Sequence, residues 1–308
     1  MTSAFVLPQL GIFAQGTAAH HFLEFDLHPD VRPADAVTPF RRLRAPDVSS
    51  GGVNLVLGFS AAAWRGVAPA HDTPADLADF RPIEGAGGRG APAVQHDAWV
   101  WVSGAAADIA WDHARAATAA VADVASLVAE RPAFTYHDGR DMTGFVDGTA
   151  NPPTRLAPHV AMVPVGRPGE GGSHVLVMRW VHDLDAFERL PVGEQEGVIG
   201  RTKADSIELT PSRKPATAHI ARVEVDDEQG HEIEIFRRSV PYGTVGERGL
   251  YFVAFSAERK RYDVLLARMF GTSGDGRSDR LTEFSRPVAG ACYFAPSLNA
   301  LAEIGGPE

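Results

Sequence analysis

The sequence predicts an α+β fold built from two similar halves, each an antiparallel sheet with helices on one face. Three observations lead there. Apolar runs of strand length alternate with stretches of helix length. A strand followed by a long helix occurs twice, after Trp99-Val100-Trp101-Val102-Ser103 and after Tyr251-Phe252-Val253-Ala254-Phe255-Ser256. The 308 residues also suit two domains of ordinary size, at about 150 residues each. Tyr136 to about Gly172 reads as loop, with Asn151-Pro152-Pro153 and Gly166-Arg167-Pro168-Gly169, so the halves are expected at 1–150 and 151–308.

The elements follow in order. Ala19–His28, Asn54–Phe59 and Ala98–Val102 are apolar runs that predict strands. An alanine-rich helix is expected over about Ala106–Ala129, because Ala117, Val121, Val124 and Val128 recur at helical spacing and Pro132 follows as a stop. In the second half His174–Val181 predicts a strand, and Asp183-Leu184-Asp185 opens a short helix. Strands are expected near His219–Val225, Glu232–Arg238 and Leu250–Phe255, then a helix near Arg259–Phe270.

Charge and cysteine content remove whole classes of function. Lys plus Arg number 29 against 39 for Asp plus Glu, a formal net charge of −10. Such a balance argues against a nucleic-acid surface and against binding to anionic lipid. The single cysteine, Cys292, rules out an intrachain disulfide, a multi-cysteine metal site and C-x-x-C-H haem attachment. No apolar stretch approaches the roughly 18 residues of a membrane span. Met1–Pro8 lacks the positive start of a secretory signal, so a cytoplasmic protein is expected. Gly85-Ala86-Gly87-Gly88-Arg89-Gly90 spells a dinucleotide fingerprint, but it lacks the preceding strand and following helix that would let backbone amides cradle a pyrophosphate. It reads as a surface loop.

Three polar residues stand where apolar ones are expected. In His219–Val225 a period of two puts His219 on the face of Ala221, Val223 and Val225, with the small Ala216 and Ala218 beside it. Such a histidine is either satisfied in the core by a carbonyl or a neutral imidazole ligating a metal. Arg237 shares a face with Ile233 and Ile235, where a guanidinium wants an anion unless it snorkels out at the strand end. Asp147 lies in Gly144-Phe145-Val146-Asp147-Gly148, whose glycines let backbone approach a ligand closely. Its plainer alternative is an Asx-turn capping its own backbone.

That loop resembles the G-x-x-D-G signature of the dye-decolourising peroxidases, and Thr149-Ala150-Asn151-Pro152 continues the likeness. Further segments resemble the family's bacterial B-type group in the same order along the chain. They are Pro8-Gln9 with Gly11-Ile12-Phe13-Ala14, Ile199-Gly200-Arg201-Thr202-Lys203, Ala218-His219-Ile220-Ala221-Arg222, Ile235-Phe236-Arg237-Arg238-Ser239, and Asp279-Arg280-Leu281 with Ala295-Pro296-Ser297.

The resemblance implies two ferredoxin-like domains holding one non-covalent haem b, and a peroxidase that splits hydrogen peroxide and oxidises dyes, phenolics or other small organic reductants. It implies that His219 is the proximal iron ligand, that Asp147 and Arg237 act on peroxide, and that Asp279, or failing it Glu283, accepts the other ring N–H of His219. Gly148, Thr149, Arg201 and Lys203 are expected near the cofactor, the last two beside a propionate. Ser239 stands where many relatives carry asparagine, and its shorter side chain is expected to leave room for a water. Trp99, Trp101, Trp180 and Tyr242 are candidate surface sites for oxidising bulky dyes. The family's habit implies a homo-oligomer. An encapsulin shell finds no support in Gly305-Gly306-Pro307-Glu308. The competing reading is a haem carrier without catalysis, or an enzyme that removes haem iron; a carrier has no need of an acid–base group such as Asp147.

Overall fold

The computed structural model describes residues 6–43 and 52–304. The leader and tail readings at Met1–Phe5 and Gly305–Glu308 therefore lie outside the described residues.

In the first half, strands β1 (Ala19–Leu27), β2 (Asn54–Phe59), β5 (Ala98–Gly104) and β6 (Ala125–Phe134) pair antiparallel in the order β6-β1-β5-β2. Helices α1 (Pro33–Arg41) and α3 (Ala107–Val121) cover one face, with the short α2 (Ala61–Arg65) after β2. The tiny hairpin β3 (Ile83–Glu84) and β4 (Gly90–Ala91) flanks the glycine-rich fingerprint. No helix follows it, as the dinucleotide mechanism would require.

The second half repeats the plan. After the short α4 (Ala157–Ala161) come β7 (Ser173–His182), α5 (Leu184–Glu188), α6 (Val192–Ile199), α7 (His219–Val223), β8 (Phe236–Arg237), β9 (Val240–Gly243), β10 (Arg248–Ser256), α8 (Lys260–Met269), β11 (Ser285–Ala295) and α9 (Leu298–Glu303). Their strand order is β11-β7-β10-β8. In each half the fourth strand lies beside the first, the first beside the third, and the third beside the second, which is the ferredoxin-like arrangement. The strand-to-helix repeats seen in the sequence are β5 into α3 and β10 into α8.

The halves join edge to edge, with Phe294 of β11 opposite Phe59 of β2, making one nine-stranded sheet. The sheet curls, so its inner faces meet: Phe22 stacks on Tyr251 at 4.0 Å between ring centroids, and the Arg131 guanidinium lies over Tyr242 at 5.1 Å. Phe22, Trp99 and Trp101 from one half pack with Val175, Val253 and Phe255 from the other. This large apolar interior is the main source of stability. Helix α8 closes the outer face of the second half through Tyr262, Leu265 and Leu266.

Three local expectations are corrected. The long helix stops at Val121, and Ala125–Phe134 is an edge strand that tolerates Pro132 because it pairs on one side only. The Val124–Val128 spacing of four is even and suits either period, so it misled. His219–Val223 is a helix of five residues, too short for a 3.6-residue period to stand out from alternation. Of Glu232–Arg238 only Phe236–Arg237 pairs as strand, against Phe255 and Ala254.

Candidate active site

One cavity gathers most of the residues singled out above. It contains about 1440 Å³ of atom-free space counted out to its open mouth. Its walls are largely apolar, with Met178 and Trp180 of β7, Phe252 of β10, Leu265 and Met269 of α8, and Ile233 and Ile235 before β8, and Glu224, Glu232 and Glu234 also line it. Into it face His219, Asp147, Gly148, Thr149, Arg201 and Arg237.

His219 is the first residue of α7. Arg222, one turn on and 1% exposed, fixes that helix by bonding Asp275 at 2.7 and 3.1 Å and the carbonyls of Arg268 and Arg277. The Asp275 carboxyl is held far below its usual range by that guanidinium. The anchored loop leads into Asp279, which is wholly buried and lies 2.6 Å from His219 through Oδ2 and Nδ1. The other Asp279 oxygen accepts the Leu281 N–H at 2.9 Å. An ionised carboxylate only accepts, so the ring N–H at Nδ1 donates to it; a neutral ring then carries its lone pair on Nε2. Glu283 is not involved: it is on the surface, 3.6 Å from Arg89 and 3.8 Å from Arg280.

Asp147 sits on a loop folded by its glycines. Gly144 (φ +87°) and Gly148 (φ +74°) take left-handed conformations that a side chain would strain. Arg140 ties the loop down through the carbonyls of Gly144 at 2.8 Å and Lys203 at 2.7 Å. Asp147 Oδ1 accepts the N–H of its neighbour Gly148 at 2.6 Å, one residue on and not the two of an Asx-turn, and Oδ2 makes no hydrogen bond among the described residues. Burial pushes the Asp147 carboxyl up; Arg237 opposes this, and the nearby Asp141 adds to it.

Arg237 is brought to the same loop by Asn151. The Asn151 amide donates to the Arg237 carbonyl and accepts its N–H, both at 2.8 Å. The Arg237 side chain forms no ion pair within 4.0 Å among the described residues, and its guanidinium is left to the cavity. Arg201 bonds the Ser206 carbonyl at 3.0 Å and lies 3.7 and 3.6 Å from Glu208 and Glu224, while its buried Nε has no hydrogen-bond partner among the described residues.

Two expected neighbours point elsewhere. Lys203 bonds Gln195 at 2.7 Å and lies over Phe145 and Phe187, behind the loop. The Ser239 hydroxyl accepts the Val253 N–H at 3.3 Å and does not line the cavity. Trp99, Trp101, Trp180 and Tyr242 are all buried, which removes them as surface sites; the exposed tryptophan is Trp111, at 52%.

Sequence reading missed a chain of polar groups on the cavity wall. Ser285 Oγ lies 2.8 Å from His182 Nδ1, and His182 Nε2 lies 3.0 Å from Asp141 Oδ1. Thr143 donates its hydroxyl and its N–H to Asp141 Oδ2 at 2.6 and 3.0 Å. Although burial opposes it, His182 and Thr143 bring the Asp141 carboxyl down to about 2. Asp141 is therefore an anion at neutral pH, close to Asp147.

Comparison with known proteins agrees with this geometry. Residues 138–300 match the family described as Dyp-type peroxidase, C-terminal. A dye-decolorizing peroxidase of Rhodococcus erythropolis is 36% identical over 259 residues, covering 82% of this chain and 75% of that protein. One from Mycobacterium tuberculosis is 34% identical over 254 residues, covering 81% and 75%. A Rhodococcus jostii DypB variant solved in complex with heme superposes with a TM-score of 0.88 at 30% identity, covering 98% of this chain and 100% of that one. An encapsulated DyP-type peroxidase from Mycobacterium smegmatis gives 0.89 at 31% identity, covering 98% and 99%. The chain belongs to the dye-decolourising peroxidase family.

Proposed function

We propose that the chain is a haem-dependent peroxidase that reduces hydrogen peroxide, with His219 as the iron ligand and Asp147 and Arg237 as the groups acting on peroxide. The observation that carries this is the meeting of His219, Asp147 and Arg237 in one largely apolar cavity, with His219 Nδ1 engaged by Asp279 and Nε2 left to the cavity. The residues fit a haem. The walls suit a flat apolar ring, and the unpartnered Arg201 Nε suits a propionate. Cys292 is buried away from this cavity, with its thiol pushed up to about 12 by burial, which agrees with a non-covalent haem b. When bound, haem supplies the redox-active iron at which the peroxide O–O bond is broken.

The remaining steps belong to the protein. Asp279 accepts the Nδ1–H of His219 in a short hydrogen bond, which makes Nε2 a stronger donor to a metal. Asp147 Oδ2, not engaged by the Gly148 N–H, receives a proton from one peroxide oxygen and delivers it to the departing one. Arg237 supplies positive charge where negative charge develops and favours the ionised Asp147. Asp141, held by His182 and Thr143, keeps Asp147 from becoming too weak a base.

Small organic molecules serve as electron donors in this reading, and self-association is expected from the family. The division at residue 150 is kept, since four strands of the large sheet precede it and the rest follow. Among the described residues no helix is long and apolar enough to cross a membrane. The test is the visible spectrum of haem-loaded protein: the Soret band should shift within milliseconds to seconds of adding peroxide, and a catalytic donor should restore it. A band that ignores peroxide would favour a carrier.

A further inference from the structure

A second group of ligating side chains lies outside the cavity. His71 and Asp72 sit in a short 3-10 turn, Ala70–Asp72, and Glu303 ends α9. One ligand atom from each lies within 4.8 Å of the others. His71 Nε2 stands between the two carboxylates, 3.7 Å from Asp72 Oδ2 and 3.6 Å from Glu303 Oε2. Both separations exceed a hydrogen bond. They are close to the spacing of about 3.3–3.6 Å that tetrahedral ligands adopt around a zinc ion at about 2.0–2.2 Å.

The second observation is Asp72 itself. The residue is 8% exposed, and its Oδ2, directed at His71, is shut off from solvent with no hydrogen-bond partner among the described residues. A buried carboxylate oxygen left unpaired is costly unless something positive meets it. The backbone around it is fixed: Trp64 Nε1 donates to the Asp72 carbonyl at 2.9 Å, and the Gly169 N–H to the His71 carbonyl at 2.8 Å. These bonds hold the turn without using the Asp72 carboxylate.

We propose that His71, Asp72 and Glu303 bind one divalent transition-metal ion, of which Zn²⁺ best matches an imidazole and two carboxylates at this spacing. Water completes the coordination. The ion ties α9, near the end of the chain, to the first half, and its role is structural because none of its ligands faces the catalytic cavity.

The test is Zn²⁺ titration of chelator-treated, haem-loaded protein by calorimetry, beside His71→Ala and Glu303→Gln. Both side chains are mostly exposed, at 71% and 61%, so the variants fold. The wild type should bind one Zn²⁺ that each variant binds at least tenfold more weakly. Saturating Zn²⁺ should raise the melting temperature of the wild type and not of the variants. A wild type that takes up no Zn²⁺ overturns the proposal, as does uptake that both variants retain unchanged. Neither result bears on the peroxidase reading, whose spectrum is recorded separately.

Discussion

His219 and Asp279 are joined by a 2.6 Å contact between Nδ1 and Oδ2, and the carboxylate is wholly buried. In the proposed reading the contact fixes the tautomer of a neutral ring and leaves Nε2 as the nitrogen offered to the iron. His219→Ala should therefore lose most bound haem, read as the ratio of Soret to protein absorbance. Retention with an unchanged Soret band would remove His219 from the ligand role.

Asp279→Asn should be milder. Asparagine can still accept the Leu281 N–H but is a poorer acceptor for the imidazole. Haem affinity should fall by about 10–100-fold, the usual cost of losing such support, and the iron reduction potential should rise. Unchanged affinity and potential would mean that the contact does not tune the ligand.

The acid limb of the peroxide reaction should move in opposite directions in two variants. The Asp147 carboxyl is raised by burial and by Asp141 and lowered by Arg237. Asp141→Asn removes a raising cause, so the limb shifts to lower pH. Arg237→Leu removes the lowering cause, so it shifts to higher pH and the rate falls at least tenfold. Shifts of the same sign would break the electrostatic account. The readout is the pH dependence of the Soret change after peroxide.

Stability should answer to the same charges. A raised carboxyl adds stability below its unfolded value of about 3.9 and loses it as pH climbs through the folded value. Asp147→Asn should therefore melt higher than wild type at pH 7, with the gain shrinking toward pH 4. Asp141 has the reverse sign: its lowered carboxyl adds stability above about 3.9 that is lost as pH falls toward about 2. Asp141→Asn should thus lower the melting temperature at pH 7, through a loss of about 1–3 kcal/mol of stability for the hydrogen bonds left unmet.

Asn151 ties Arg237 to the loop that carries Asp147, since its amide holds the Arg237 backbone at 2.8 Å in both directions. Asn151→Ala should cost about 1–3 kcal/mol and slow the peroxide reaction while haem binding persists. A variant that reacts at full rate would show that Arg237 is placed by its strand alone.

The sequence exposed the site through its misfits. His219, Arg237 and Asp147 were polar where the local pattern was apolar, and all three line one cavity. The strand alternation expected around His219 does not hold, because the residue opens a five-residue helix. Asp141, His182 and Ser285 escaped notice because each looks ordinary in its own segment. His182 ends the apolar run of β7, and only the pairing of β7 with β11 sets it opposite Ser285. Asn151 stood in plain view within the Gly144–Pro152 signature, but nothing local says that its amide meets residue 237. Strand pairing and long-range polar contacts of this kind are set by tertiary packing, which periodicity does not encode.

The central claim is that Asp147 and Arg237 act together on peroxide beside a haem held by His219. Stopped-flow absorbance of the haem-loaded Asp147→Ala/Arg237→Leu double variant tests it most directly. The account predicts a normal ferric spectrum and a peroxide reaction slowed by at least tenfold. A double variant that reacts at the wild-type rate would contradict it.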